Sequence, residues 1–219
     1  ANIDSLENTY RSRLESLRAV DDLIGRIVLA LQESGKYQDT VLIFTSDNGF
    51  MLGEHQLIGK KYAYEESIRV PLYISVPGIG QQIINQPVLN NDLAPTISEL
   101  AAATPNLIVD GTSLMPLLNN PQISWRKRFL IEHLQAPNAY GTMPTFMAER
   151  TFNSSGVPNQ IYVDYDDDSL ELYDFAEDPY QLNNLHADPD YASSRSTHNS
   201  WLNYLKNCKN GTCHTVEFK

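Results

Sequence analysis

Apolar residues fall at helical spacing through the first thirty-odd positions of the chain. Leu6, Tyr10, Leu14, Leu17, Leu23, Ile24, Ile27, Val28 and Leu31 recur three and four residues apart, with charged residues between them. That period predicts one long amphipathic helix over 5–34. Asp4 followed by Glu7 resembles a capping box, and Gly35 supplies a stop. The pattern then changes. "TVLIFTS" is short, β-rich and apolar at both parities, which predicts a fully buried strand, and "VPLYISVPG" predicts a second. "NNDLAPTISELAAA" carries Asn and Asp caps and an early proline, and predicts a helix. Helix, buried strand, loop, buried strand and helix are the parts of an α/β layer fold.

Beyond residue 122 the runs become half-alternating. "RFLIEHL", "TFMAERTF", "QIYVDYD" and "LELYDF" are broken by Gly, Asn, Pro and Asp, and predict an antiparallel sheet. A last helix is expected over 196–206. The division is therefore 1–122, an α/β part, and 123–219, a small α+β subdomain with an antiparallel sheet. "DYDDDS", Asp164 to Ser169, predicts an exposed turn. It lacks the glycine and closing glutamate of an EF-hand calcium loop. The first part supplies only two convincing buried strands, too few for a sheet covered by helices on both faces, so it reads as a piece of a larger layer.

Composition narrows the function classes. A net charge of −11 argues against a nucleic-acid partner, which requires basic surface to displace phosphate counterions. No apolar run approaches the roughly 20 residues needed to span a bilayer. The two cysteines, Cys208 and Cys213, flank the turn dipeptide Asn210-Gly211. A short disulfide loop is the favoured reading. Half of a metal cage is the other, although no second cysteine pair exists to complete it. A disulfide implies an oxidising compartment, as do the sequons that start at Asn153 and Asn210.

The chemistry lies where the first predicted strand ends. In open α/β sheets ligands sit beyond the carboxyl ends of the strands, and there the chain places Asp47 and Asn48, followed by Gly49. A carboxylate beside an amide oxygen suits a hard cation such as Ca2+. The same four residues, Ser46-Asp47-Asn48-Gly49, are also favoured turn formers. Downstream, "GEHQLIGKKYAYEE" puts His55 and Lys60 in a loop that returns at Val70. A lysine there is placed to meet an anionic group. His55 is equally a surface or loop-bonded histidine, and Lys61 is expected to face solvent.

Taken together, "TSDNGFMLGEH", the "GK" with "YE" four residues beyond its lysine, and "RVPLYISVPG" resemble the second signature region of the type I sulfatases, of the alkaline phosphatase superfamily. The likeness continues through "DLAPTISELAAA", "DGTSLMPLL" and "ELYDFAEDPYQLNNL", and so spans nearly the whole chain, with a flavour of the glucosamine-6-sulfatases. The resemblance implies the C-terminal half of a mixed-sheet sandwich enzyme. It implies Asp47 and Asn48 as two ligands of an active-site Ca2+ and Lys60 as a sulfate contact, with His55 in the substrate-facing loop. The substrate would be a sulfated sugar or aryl ester, and the setting secreted, lysosomal or periplasmic. In that family the nucleophile is a formylglycine made within a Cys/Ser-x-Pro-x-Arg motif, which these 219 residues do not contain. The nucleophile and the remaining metal ligands would belong to an N-terminal half, and this chain alone is expected to be inactive. Two other readings remain. Phosphonate or phosphate ester hydrolases of the same superfamily often carry Asp-His where Asp47-Asn48 stands here. A non-catalytic module that kept the fold is the third.

Overall fold

The computed structural model describes residues 3–135, 144–153, 156–209 and 211–219. The chain divides into two compact units, one of Ala1–Lys60 with Tyr64–Gln81, the other of Lys61–Ala63 with Gln82–Lys219.

The first unit opens with helix α1, Ile3–Glu33, which is 31 residues long and follows the predicted period closely. None of its residues is buried. Leu17, Leu23 and Leu29 each keep more than half of their surface exposed. Strand β1, Leu42–Thr45, pairs antiparallel with β4, Leu72–Ser75, in the register Leu42↔Ser75 to Thr45↔Leu72. These are the two runs expected to be fully buried, and they are not: Phe44 is 37% and Tyr73 69% exposed. Their composition matches a covered sheet, but within this unit they form a two-stranded ribbon. Between them lie the two-residue strands β2, Met51–Leu52, and β3, Ile58–Gly59, paired with each other, and the one-turn helix α2, Glu65–Ile68.

The second unit begins with helix α3, Leu93–Leu100, shorter than the predicted run because a 3-10 turn, Asn90–Asp92, precedes it. Ala102 then turns left-handed at φ 51° and ends it. Helix α4, Met115–Asn119, buries Leu117 and Leu118. Strands β5 (Arg128–His133), β6 (Phe146–Thr151), β7 (Gln160–Tyr165) and β8 (Leu170–Asp174) form a four-stranded antiparallel meander in sequence order. This is the predicted sheet, strand for strand. Its period-two pattern separates two buried sets. Ala148, Ile161 and Val163 are fully buried on one face, and Tyr162 and Leu172 on the other. Helix α5, Ala192–Asn207, lays Leu202 against Tyr162 and Leu172, flanked by Leu130, Met147 and Leu170.

Helix α6, Gly211–Phe218, has no counterpart in the sequence reading. The disulfide Cys208–Cys213, whose Cα atoms are 5.0 Å apart, ties its first turn to the end of α5, so the half-cage reading of these cysteines is set aside. Only Asp166 to Ser169 of the acidic run form the exposed β7–β8 turn that was expected, with Asp168 left-handed at φ 65°, whereas Asp164 and buried Tyr165 end strand β7. Asp164 is ion-paired with Lys206 of α5.

Two ion networks tie distant segments of this unit together. Arg126, fully buried, donates Nη1 to Asp92 Oδ2 at 2.6 Å and Nη2 to Asp92 Oδ1 at 2.9 Å. Its Nε reaches Glu217 Oε2 of α6 at 2.8 Å. Asp92 also accepts the backbone N–H groups of Leu89 and Thr112, so this aspartate anchors three chain segments. The cap expected at the start of α3 is therefore the hub of an ion pair. Loss of either member would leave a buried charge without its partner, the costly case. The second network involves Glu149 and His198.

Candidate active site

The candidate residues all lie in the first unit. Strand β1 ends at Thr45, and Ser46, Asp47, Asn48 and Gly49 leave its carboxyl end. The loop is tied by its own side chains. Asn48 N–H donates to Asp47 Oδ1 at 2.9 Å, Ser46 Oγ–H to the Asn48 carbonyl at 3.1 Å, and Asn48 Nδ2 to the Gly49 carbonyl at 2.8 Å. This last bond fixes the amide orientation, because only nitrogen can donate there, and so leaves Oδ1 as the acceptor.

Gly49 is required for a reason the turn reading did not contain. A Cβ at this position would lie 2.1 Å from the Glu66 carbonyl oxygen, and Gly49 N–H donates to the Ser67 carbonyl at 3.0 Å. The site loop is pressed against helix α2, and glycine is the residue that fits.

Lys60 returns to this loop through the β2–β3 hairpin, where Leu52↔Ile58 is the inner pair. The hairpin closes through an unusually left-handed loop: Gly53 at φ 117°, His55 at 53°, Gln56 at 60° and Gly59 at 114°. Non-glycine residues rarely adopt such angles, histidine more readily than most. The His55 ring stacks on Tyr64 with centroids 3.9 Å apart and planes 11° apart, a contact that holds the loop. Lys60 Nζ then donates to Asn48 Oδ1 at 2.8 Å. Asp47 and Lys60 are exposed, Asn48 and His55 half-buried.

The structure thus brings Lys60 directly onto Asn48, with Asp47 adjacent. His55 is placed by its stack on Tyr64, as a loop-bonded histidine would be. Cys208 and Cys213 are joined to each other. Asn153 is exposed, and Asn210 lies outside the described residues. Sequence reasoning missed Tyr64 as the support of His55, although "YE" after the lysine was in view. Asp47 and Asn48 offer hard oxygen donors, which fits Ca2+ in kind, and the Asn48 oxygen is the one that meets Lys60 Nζ. In number they fall short of the six to eight oxygens Ca2+ takes. Among the described residues no group of three or more His, Cys, Asp and Glu is placed to hold a metal ion.

The candidate site is thus an acceptor pair at a strand end, Asp47 exposed and Asn48 half-buried, with a lysine delivered to it by a hairpin. The chain belongs to the sulfatase family. The sulfatase family model matches residues 2–103, and a model described as the C-terminal part of N-sulphoglucosamine sulphohydrolase matches 53–207. The chain is 32% identical over 98% of its length to N-acetylglucosamine-6-sulfatase of Capra hircus and 31% identical, over the same share, to that of Homo sapiens. It spans 43% and 44% of those two proteins, less than half of each. Among solved structures, one in complex with its substrate D-glucosamine-2-N,6-O-disulfate superposes with a TM-score of 0.76 at 30% identity, over 85% of this chain and 38% of that one. A phosphonate monoester hydrolase of Agrobacterium radiobacter superposes with a TM-score of 0.75 at 31% identity, over 85% of this chain and 39% of that one.

Proposed function

We propose that these residues are the C-terminal portion of a sulfatase that hydrolyses sulfate esters of a sugar, with glucosamine 6-sulfates the favoured class. One observation carries the reading: Lys60 Nζ sits 2.8 Å from Asn48 Oδ1, beside Asp47 at the end of β1, in a chain of the sulfatase family. Asp47 and Asn48 would supply two of the oxygens that hold Ca2+, which when bound polarises the sulfate. Lys60 offsets negative charge on the sulfate oxygens as the ester bond breaks. His55, fixed on Tyr64, lines the approach of the substrate. The formylglycine nucleophile and the other metal ligands belong to an N-terminal half. The uncovered stripe on α1 and the exposed β1–β4 ribbon support such a covering half, as does the span of under half the relatives' length. In that whole protein residues 1–122 complete the catalytic α/β domain and 123–219 form the antiparallel subdomain. The Cys208–Cys213 bond supports a secreted, lysosomal or periplasmic setting, with Asn153 and Asn210 as glycosylation sites in hosts that glycosylate.

The similarity to a phosphonate monoester hydrolase favours a second reading, an ester hydrolase of phosphorus acids. Asn48 weighs against it, because an amide oxygen suits Ca2+ whereas imidazole suits the transition metals. The test is turnover by the whole protein of N-acetylglucosamine 6-sulfate against an aryl phosphonate monoester. Sulfate turnover should dominate, be lost on chelation and return with Ca2+. Lys60→Ala should lower kcat by roughly 10²–10³. Undiminished sulfate turnover by Asp47→Ala would sink the assignment of the site, and faster phosphonate turnover would favour the second reading.

A further inference from the structure

His198 lies on α5 where the helix crosses the sheet, and its side chain is almost fully buried. Both ring nitrogens face oxygen. Nδ1 is 2.9 Å from Glu149 Oε2 on β6, and Nε2 is 2.8 Å from Gln160 Oε1 on β7. A neutral imidazole has one donor and one acceptor nitrogen, so it satisfies only one of two acceptors; an imidazolium satisfies both.

The identities of these acceptors are fixed by their other partners. Gln160 donates Nε2 to Asp174 Oδ2 of β8 at 2.7 Å, and a carboxylate accepts, so the amide oxygen is the atom turned toward His198. Ser194 Oγ, one turn earlier on α5, donates to the same oxygen at 2.6 Å. Glu149 Oε1 lies 3.0 Å from Arg128 Nε of β5, an ion pair at an angle too bent for a hydrogen bond. Arg128 has only donors to offer, which leaves Glu149 an acceptor on both oxygens. The Arg128 guanidinium is 3.7 Å from the centre of the Trp201 ring, three residues beyond His198 on α5. The Tyr162 ring stacks on the imidazole, with centroids 6.2 Å apart and planes 11° apart. The remaining charged groups on this side of α5 are otherwise engaged: Lys206 with Asp164, and Arg195 with the Asp188 carbonyl.

We propose that His198 is a donor at both ring nitrogens, a pin that fastens α5 to β6 through Glu149 and to β7 through Gln160. Removing the proton turns one ring nitrogen into an acceptor facing an acceptor, and one of the two bonds is lost. The cost of that buried mismatch would fall on the α5–sheet contact. The same contact contains Leu202, Tyr162 and Leu172, a core cluster of the subdomain.

The test is nitrogen-detected NMR of the 219-residue chain labelled with 15N-histidine, at pH 7. The expected result is one buried ring with two protonated nitrogens, which disappears in His198→Gln. Should that variant fail to fold, replacing each of the other four histidines by Gln in turn identifies the ring by elimination. A single protonated nitrogen on His198 overturns the proposal.

Discussion

The two units of this chain treat their apolar residues in opposite ways. In the second, both faces of the meander are buried, and Leu172 and Leu202 have no exposed surface. In the first, α1 runs for 31 residues without burying one, and Tyr73 of β4 is 69% exposed. The sequences of the two are equally patterned, so the difference is not one of hydrophobic content. An amphipathic helix gains most of its stability from the surface its apolar face covers. The second unit supplies that surface to α5 from its own strands. The first unit carries the candidate site and leaves the apolar stripe of α1 uncovered. The candidate site thus lies in the unit whose apolar residues are the less buried of the two.

The sharpest way to break this comparison is to attack what makes the second unit self-sufficient. Asp92→Asn removes one charge from a fully buried pair and leaves Arg126 partly uncompensated. A loss of about 3–5 kcal/mol is expected in urea unfolding of the 219-residue chain. A loss below about 1 kcal/mol would mean that the network is not what joins α3 to the sheet.

Matched leucine truncations come next, because they compare the units directly. Leu202→Ala empties part of a core cluster and should cost about 2–5 kcal/mol. Leu17→Ala, at a position 54% exposed, should change stability by less than about 0.5 kcal/mol in this chain. In the whole protein the same Leu17→Ala should cost well over 1 kcal/mol, since a covered leucine loses buried area. Equal, small effects of Leu17→Ala in both settings would remove the case for a covering half.

How much of this was legible in the sequence depended on how far apart the interacting residues stand. The period of α1 and the alternation in β5 to β8 are local, and both were read correctly. Lys60 and Asn48 are twelve residues apart within one ordered run of motifs, and that pairing was within reach. Arg126 and Glu217 are 91 residues apart, and Glu149 and His198 are 49 apart. Nothing local marks such pairs, and the sequence reading names none of these four residues. Helix α6 was missed because "GTCHTVEF" has weak amphipathic character and is held by a disulfide and by Glu217 rather than by an apolar stripe. Gly49 was noticed for its freedom to turn, whereas its neighbour in space is the Glu66 carbonyl, which no local pattern announces.

A further small effect separates the two carboxylates that share Arg126. Asp92 takes both terminal nitrogens of the guanidinium, and Glu217 takes Nε alone. Burial pushes the Glu217 carboxyl above its ordinary value, and Arg126 only partly opposes that shift. A carboxyl raised on folding contributes stability that is present below its unfolded pKa, about 4.3, and is lost as pH rises through the folded value. Ionised Glu217 at pH 7 is therefore not a net source of stability from its charge. Glu217→Gln keeps an oxygen acceptor for Arg126 Nε and removes the charge. It should cost less than about 1 kcal/mol at pH 7. Between pH 7 and pH 4 the wild-type chain should gain on the variant, because only the wild type takes up a proton at this position on folding. Urea unfolding of both proteins across that range measures the difference. A wild-type advantage that shrinks as pH falls would mean instead that Glu217 acts as a second full counterion to Arg126, equal to Asp92.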